Sequence, residues 1–256
     1  MCLIVFSWMH QSHQLLVAAN RDEFYQRPTL PAQFWPEQPQ LLAGKDLQEG
    51  GTWMGITQSG RFSAVTNYRC PDKTAYPHSR GHLTRDFLLS ALSPEEYAQR
   101  LSNYADQYAG FNLLISDNKS LVYCSNRAQD SFWQSLEPGV YGLSNHLLDT
   151  PWPKVKKGKI YLQEAIEKNQ SNALIFQKLR DNQIAEDRDL PETGIEKPLE
   201  KMLSPLFIAT PSYGTRTSTL LKINRDRQIF FEEKTYKPAS TRQESTQFLF
   251  TMSPSP

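Results

Sequence analysis

Four pairs of short, apolar, β-rich runs constrain this chain more than any other feature. Leu3–Trp8 and Leu15–Ala19 flank a polar "HQSHQ". "GGTWMGITQSGRFSAVTNY" turns at "QSG", and "GFNLLISDNKSLVYCSN" turns at "DNKS". "YGTRTSTLLKI" and "QIFFEEKTY" flank "NRDR". β-rich runs joined by so few polar residues fold back on one another as antiparallel hairpins. "GVYGLSN" adds a short strand, and "STQFLFTMSPSP" a last one before a tail expected to fray. Helical spacing covers Ser79–Leu92, Pro94–Asp106, Trp152–Lys168 and Asn172–Asn182, with Ser93 and Glu96 set as a capping box. Hairpins, then helices, then hairpins predict an α+β protein with antiparallel sheet rather than alternating parallel units. Strands from the two ends of the chain are expected side by side in one sheet, with helices packed outside. "NRDEFYQRPTLPAQFWPEQP" holds four prolines and reads as a long surface connection. Residues 183–201 are polar and read as a mobile one.

Composition narrows the function classes. A chain of 256 residues with 39% hydrophobic and 21% charged residues fits one large globular domain, 1–256. A net charge of +1 offers no electrostatic reason to expect nucleic acid or an anionic membrane as partner. No apolar run approaches the roughly 18 residues of a spanning helix. The apolar stretch Cys2–Met9 has no basic residues before it and stops at "HQSHQ", against the pattern of a signal peptide. Cys2, Cys70 and Cys124 form an odd set without Cys-x-x-Cys spacing, which reads as reduced thiols in a cytoplasmic protein. His10, His13, His78, His82 and His146 lack the spacing of a ligand set, so neither a metal nor a resident cofactor is expected.

The second residue carries the sharpest chemical possibility. Removal of Met1 would make Cys2 the first residue. Its α-amine, with a reference pKa of about 7.7–8.0, could then take the thiol proton near neutrality. The plainer reading of Cys2 is a small buried residue at the start of a strand. Asn20, Arg21, Asp22 and Glu23 follow the second run and fit a solvated turn. They also fit a site, since an Arg beside a thiol lowers its pKa and an Asp can hold an amine. Asn67 ends "FSAVTN" and Asn145 follows "YGLS". Such amides form turns, and they also serve as oxyanion donors. Arg216 stands in "YGTRTSTLL", where it could recognise a carboxylate or support a thiolate.

The blocks "MCLI", "LLVAANRDEFYQRPT", "GGTWMGIT", "FSAVTNYR", "SRGHLTRDFL", "YAGFNLLISD", "YGLSNHLLDTPWPKV" and "YGTRTSTLL" together resemble the NRDE family, that of Transport and Golgi organisation protein 2. The resemblance covers most of the chain. It implies a cytoplasmic protein whose eukaryotic relatives are linked to mitochondria, Golgi, lipid homeostasis and haem trafficking. The same constellation is similar to N-terminal nucleophile hydrolases of the choloylglycine hydrolase type. That likeness implies a four-layer αββα sandwich of two antiparallel sheets. It also implies a site made of Cys2, Arg21, Asp22, Asn67, Asn145 and Arg216. In those hydrolases two residues separate the Arg from the Asp, whereas here they are adjacent, which leaves open which of Asn20, Arg21 and Asp22 faces the thiol.

Two functions follow as expectations. In the first, Cys2 attacks a linear amide or thioester of a small acyl or lipid-like substrate. Asn145 and a backbone N–H hold the oxyanion, Asn67 and Asp22 position the amine, and Arg21 favours the thiolate. In the second, the same cleft binds and passes on haem or an acyl lipid without turnover, with His82 or His146 as a haem ligand. The oligomeric state is not legible.

Overall fold

The computed structural model describes residues 2–72, 74–237 and 243–253. The expected loss of Met1 and fraying of residues 254–256 lie outside the described residues. Thirteen strands form two antiparallel sheets among the described residues. In the first sheet, β10 (Gly139–Leu143), β1 (Cys2–His10), β2 (His13–Phe24), β11 (Tyr213–Asn224), β12 (Gln228–Tyr236) and β13 (Gln243–Thr251) lie in that order. The second runs β3 (Thr29–Trp35), β4 (Gln38–Asp46), β5 (Met54–Thr57), β6 (Phe62–Asn67), β7 (Phe111–Ser116), β8 (Leu121–Ser125) and β9 (Trp133–Ser135). The four expected hairpins are β1–β2, β5–β6, β7–β8 and β11–β12. β2 pairs with β11 through eleven registered positions, so strands from both halves of the chain share one sheet.

Strand alternation builds the layers. Ile4, Phe6 and Trp8 of β1 and Leu15, Val17 and Ala19 of β2 face the second sheet. They bury against Leu42, Met54, Ile56, Phe62 and Leu114. Leu3, Val5, Leu16 and Ala18 face the other way, onto α3 (Pro153–Glu167) and α4 (Asn172–Leu179). Beyond the second sheet, α1 (Arg80–Leu89) and α2 (Pro94–Leu101) pack on Leu41, Val65, Leu113 and Val122. The result is the expected αββα sandwich. Helix α2 opens with the anticipated capping box, in which Ser93 and Glu96 each accept from the other's backbone N–H.

Three sequence expectations change. The proline-rich stretch is not a surface connection: it becomes strands β3 and β4. Its prolines are tolerated because β3 is the edge of its sheet. Pro31 sits in a register gap between Leu30 and Gln33, Pro36 lies in the connecting turn, and Pro39 precedes the β4 residues that pair with β5. Segment 183–201 carries a 3₁₀ turn at Asp187–Asp189 and the start of a helix, α5 (Lys197–Met202), whose Glu200 is buried. Strand β2 runs on to Phe24, so the Asn20–Glu23 motif lies inside a strand, not in a turn. β9 was not anticipated; three residues are too few to show a period.

Helix α3 approaches β1 closely at Gly158, where a Cβ would stand 2.9 Å from Val5 Cγ1. In an open helix interior Gly→Ala gains roughly 1 kcal/mol. Here the stiff, β-branched Val5 leaves no room, so Gly158→Ala should instead destabilise by about 1–3 kcal/mol. Urea unfolding reads the sign, and a raised midpoint would contradict this packing.

Candidate active site

One cleft opens where the ends of both sheets meet. It holds about 140 Å³, and Cys2, Arg21, Asp22, Asn67, Arg80 and Glu233 are among its lining residues. The hairpin sets its floor. β1–β2 pairing places Cys2 opposite Arg21 and Leu3 opposite Asn20. By alternation Cys2 shares the face of Ile4, and Arg21 that of Val17 and Ala19, so both look toward the second sheet. Cys2 is only 7% exposed.

Asn20 faces the other way. Its Nδ2 donates to the carbonyls of Leu179 (2.9 Å) and Leu206 (2.8 Å), and its Oδ1 accepts from Ser218 Oγ (2.6 Å). It anchors the helical layer to β2 and does not face the thiol. Asp22 Oδ1 accepts from Thr215 Oγ1 at 2.7 Å, and the Asp22 backbone N–H favours the ionised form of the Cys2 sulfur. Arg21 lies 3.8 Å from Glu23. Asn20 and Asp22 share a strand face but not a role: Asn20 is tied into the helical layer, while Asp22, two residues nearer the strand end, borders the cleft with Arg21 and Cys2.

The electrostatics differ from the sequence expectation. Burial pushes the Cys2 thiol above its ordinary range. The amino-terminal charge opposes this, the Asp22 carboxylate adds to it, and Arg21 opposes it. Burial also raises Asp22, against the pull of Lys154, the amino-terminal charge, the Thr215 hydroxyl and Arg21.

The two asparagines are joined. Asn145, fully buried, donates from Nδ2 to the Asn67 carbonyl (2.9 Å). Its neighbour Ser144 donates from Oγ to the Cys2 carbonyl (2.9 Å), and Thr66 Oγ1 donates to the Ser144 carbonyl (2.6 Å). Asn67 lines the cleft, whereas Asn145 is not among the lining residues. Of the two, Asn67 is therefore the one that borders the cleft, and Asn145 braces it from outside. Arg216 is likewise displaced from the chemistry. It is the extra residue of a β-bulge between Thr215 and Thr217. Its guanidinium donates to the carbonyls of Phe24 (2.9 Å) and Arg27 (3.1 Å) and to Thr29 Oγ1 (3.2 Å), which fixes the loop into β3. It is not among the cleft residues.

Sequence reasoning missed Arg80 and Glu233. Arg80 opens α1 at the cleft edge, donates to the Gly110 carbonyl (3.1 Å) and is within electrostatic reach of Cys2. Glu233, 3% exposed, accepts from the Ala32 backbone N–H at 2.8 Å in the register gap of β3, and burial raises its pKa. A signal existed for Glu233: Ile229, Phe231 and Glu233 alternate on one face of β12, and the first two are core.

The histidines considered as haem ligands are engaged elsewhere. His146 stands between Tyr68 Oη (2.8 Å at Nε2) and Thr150 Oγ1 (2.9 Å at Nδ1), and His82 Nε2 lies 2.7 Å from the Glu49 carbonyl. Among the described residues no group of three or more His, Cys, Asp or Glu could hold a metal ion. Likewise, no described helix is long and apolar enough to cross a membrane.

Two stacked antiparallel sheets between helical layers define the fold of N-terminal nucleophile hydrolases. Two solved structures share it. A Clostridium perfringens conjugated bile acid hydrolase mutant aligns with a TM-score of 0.54 at 9% identity, covering 100% of this chain and 98% of that one. A Caenorhabditis elegans N-acylethanolamine-hydrolyzing acid amidase ortholog aligns at 0.50 with 11% identity, covering 86% and 92%. Residues 1–238 match the family described as Transport and Golgi organisation 2, and the chain belongs to it. The human Transport and Golgi organization protein 2 homolog is 34% identical across 91% of this chain and 92% of its own length. The Bos taurus homolog is 35% identical across 96% and 97%, and the Drosophila melanogaster protein 26% across 92% of each.

Asn20→Ala would leave two buried carbonyls and the Ser218 hydroxyl without their partner. At roughly 1–3 kcal/mol for each orphaned group, partly relaxed, a loss of about 3 kcal/mol is expected in equilibrium urea unfolding. A loss below about 1 kcal/mol would contradict the anchoring role.

Proposed function

We propose that this protein is an N-terminal cysteine hydrolase of a linear amide or thioester with a small acyl or lipid-like group. The observation that carries this reading is the position of Cys2. It lines a cleft with Arg21 paired opposite it and with Asp22 and Asn67 among the other lining residues. Once Met1 is removed, the α-amine of Cys2 takes the thiol proton as the sulfur bonds to the substrate carbonyl carbon. The carbonyl π pair moves to oxygen, which accepts from Asn67 and a backbone N–H. Collapse expels the amine or thiol, protonated by the new ammonium. Water, deprotonated by the α-amine, then cleaves the acyl thioester, releasing the acid and restoring the thiol. Asp22 holds the amine in place, and Arg21 stabilises developing sulfur charge. A raised resting thiol pKa suits this scheme, because the proton leaves only when the base and substrate are aligned. The two solved structures of this fold are named for hydrolysing N-acylethanolamines and conjugated bile acids, which supports an acyl-bearing substrate.

The relatives' names speak of transport and Golgi organisation. They name no ligand; a second reading keeps the cleft as a carrier of haem or an acyl lipid without turnover. Haem titration followed by visible absorption tests it. The three free cysteines support a place in the reducing cytoplasm.

Intact mass of the native protein should show a chain beginning at Cys2. Retained Met1 would exclude the α-amine as base. Cys2→Ala should keep the fold and abolish labelling by thiol-reactive acyl probes, whereas Cys70→Ala and Cys124→Ala should leave labelling largely unchanged. Cys124 is fully buried and its thiol is pushed far up by burial, so it should stay silent. Cys70 lies against the Arg127 guanidinium and is the internal comparison. Faster labelling of Cys70 than of Cys2 at pH 6.5, or unfolding of Cys2→Ala, would make Cys2 a packing residue.

A further inference from the structure

Glu233 uses only part of its carboxyl for holding the sheets together. It is 3% exposed, and its Oε1 accepts from the Ala32 backbone N–H at 2.8 Å. That clamp needs one acceptor, and the amide oxygen of a glutamine would serve it without taking an acid out of water. A buried carboxylate is costly until a positive charge matches it. Among the described residues Glu233 makes no ion pair, and the cations that line the cleft are engaged elsewhere. Arg27 is paired with Asp46 at 2.7 Å, Lys45 with Glu37, and Arg80 donates to the Gly110 carbonyl. Arg21, whose charge favours the ionised form of Glu233, stands 3.8 Å from Glu23.

Hydroxyls surround the rest of the carboxyl. Strand pairing places Thr219 of β11 opposite Glu233 on one side and Thr246 of β13 opposite it on the other. By alternation Thr217 and Thr219 share the face of Leu221 and Ile223, and Glu233 that of Phe231, so all three look toward the second sheet. Thr217 and Thr219 are 9% and 1% exposed. Their hydroxyls stand close enough to favour the ionised form of Glu233, yet Oγ1 of Thr217, Thr219 and Thr246 is in each case buried without a hydrogen-bond partner of ordinary geometry among the described residues. Buried polar atoms so placed are few in a folded protein. On the facing sheet Gly44 keeps the space open: a Cβ there would stand 3.2 Å from the Leu30 carbonyl oxygen and 4.0 Å from Glu233 Oε2. Leu30, Gly44, Thr217 and Glu233 all line the cleft that holds Cys2.

We propose that Glu233, with the Thr217 and Thr219 hydroxyls, is a specificity-determining subsite of this cleft that binds a protonated primary amine at the end of the substrate remote from its scissile carbonyl. An ammonium brings three donors and the missing positive charge. The carboxylate supplies the negative charge, and each hydroxyl accepts from the ammonium while its own proton turns to the carboxylate. A neutral group would leave these atoms unmatched, and an anionic one would be repelled. Cross-strand pairing sets the distance. Cys2, Arg21 and Thr217 form one row across β1, β2 and β11, and Glu233 lies one strand further on and two residues along. At about 4.8 Å per strand the subsite is on the order of 10–15 Å from the thiol, which places the amine several bonds from the carbonyl. The word substrate rests on the reading of Cys2 as the nucleophile; the subsite itself does not.

The test uses three linear amides of one length: 6-aminohexanamide, which is cationic, hexanamide, which is neutral, and the monoamide of adipic acid, which is anionic. Isothermal titration calorimetry reads binding to the whole chain, and ammonia release reads hydrolysis. The cationic amide should bind roughly tenfold or more tightly than the neutral one, the scale of one hydrogen bond to a charged group. The anionic amide should bind more weakly than the neutral one. Glu233→Gln keeps an acceptor for Ala32, so its urea midpoint should stay near that of the wild type, while its preference for the ammonium falls to within about twofold. Thr217→Val should lose part of the preference and leave hexanamide binding unchanged. Equal binding of the three amides, binding of none, or a preference that survives Glu233→Gln overturns the proposal. If Glu233→Gln does not fold, Thr217→Val decides: a reduced preference supports the subsite and an unchanged one overturns it. Hydrolysis is judged separately. Ammonium preference without ammonia release removes the hydrolase reading and leaves the subsite, and ammonia release without ammonium preference does the reverse.

Discussion

Ionised side chains removed from water must be matched inside the protein, and the functional end of this molecule is organised around that demand. Asp22, Arg69, Lys154 and Glu200 are each at least nine-tenths buried, and they come from four separate parts of the chain. Two are basic and two acidic, and Arg69 and Glu200 form an ion pair. Arg69 further packs its guanidinium over the Trp152 ring at 4.6 Å, which covers charge with a polarisable face. Taking away any one member leaves another buried charge unmatched. That coupling ties α3, α5, β2 and the loop after β6 to one another more specifically than their apolar contacts could.

The same region is where the two sheets are fastened together. Ser144 accepts from Thr66 and donates to the Cys2 carbonyl, while Asn145 donates to the Asn67 carbonyl. Across the cleft, Glu233 of the first sheet holds the Ala32 N–H of the second, and Arg216 holds the loop between β2 and β3. Apolar packing between the sheets fixes their spacing but is non-directional. These hydrogen bonds set the register of one sheet edge against the other, and with it the distance from Cys2 to the Asn67 wall. Arg216 and Asn145 are therefore part of the site's frame, although neither faces its interior.

Burial of the Cys2 thiol at the cleft bears on the proposed chemistry. Under that proposal, a thiol held above its ordinary pKa reacts once a base and a carbonyl are brought to it together. The cations at the cleft are largely engaged. Arg27 is paired with Asp46 at 2.7 Å, Lys45 with Glu37, and Arg21 lies near Glu23. The cleft wall thus carries polarity with its charges largely matched.

Much of this was legible in the order of residues. Period-two runs and turn residues gave the hairpins β1–β2, β5–β6, β7–β8 and β11–β12, because a strand's two faces meet different surroundings and the pattern records that locally. Cys2, Arg21, Asp22 and Asn67 could be singled out because their chemistry at strand ends is unusual enough to notice. The proline-rich β3 and β4 could not be, since whether a proline breaks a strand depends on whether that strand lies at an edge. Asn20 against Asp22, Asn67 against Asn145, and the displacement of Arg216 were also beyond the sequence: each turns on where along the sheets the helices, the cleft and the loops come to lie. Glu200 was the least visible. A charged residue in a polar segment reads as solvated until its partner, here Arg69 more than a hundred residues away, is brought beside it. The sequence by itself determined which groups could react and which segments would pair. The tertiary structure alone decided which charges are buried together, because the energy of a buried charge depends on its neighbours in space and on nothing that adjacency along the chain records.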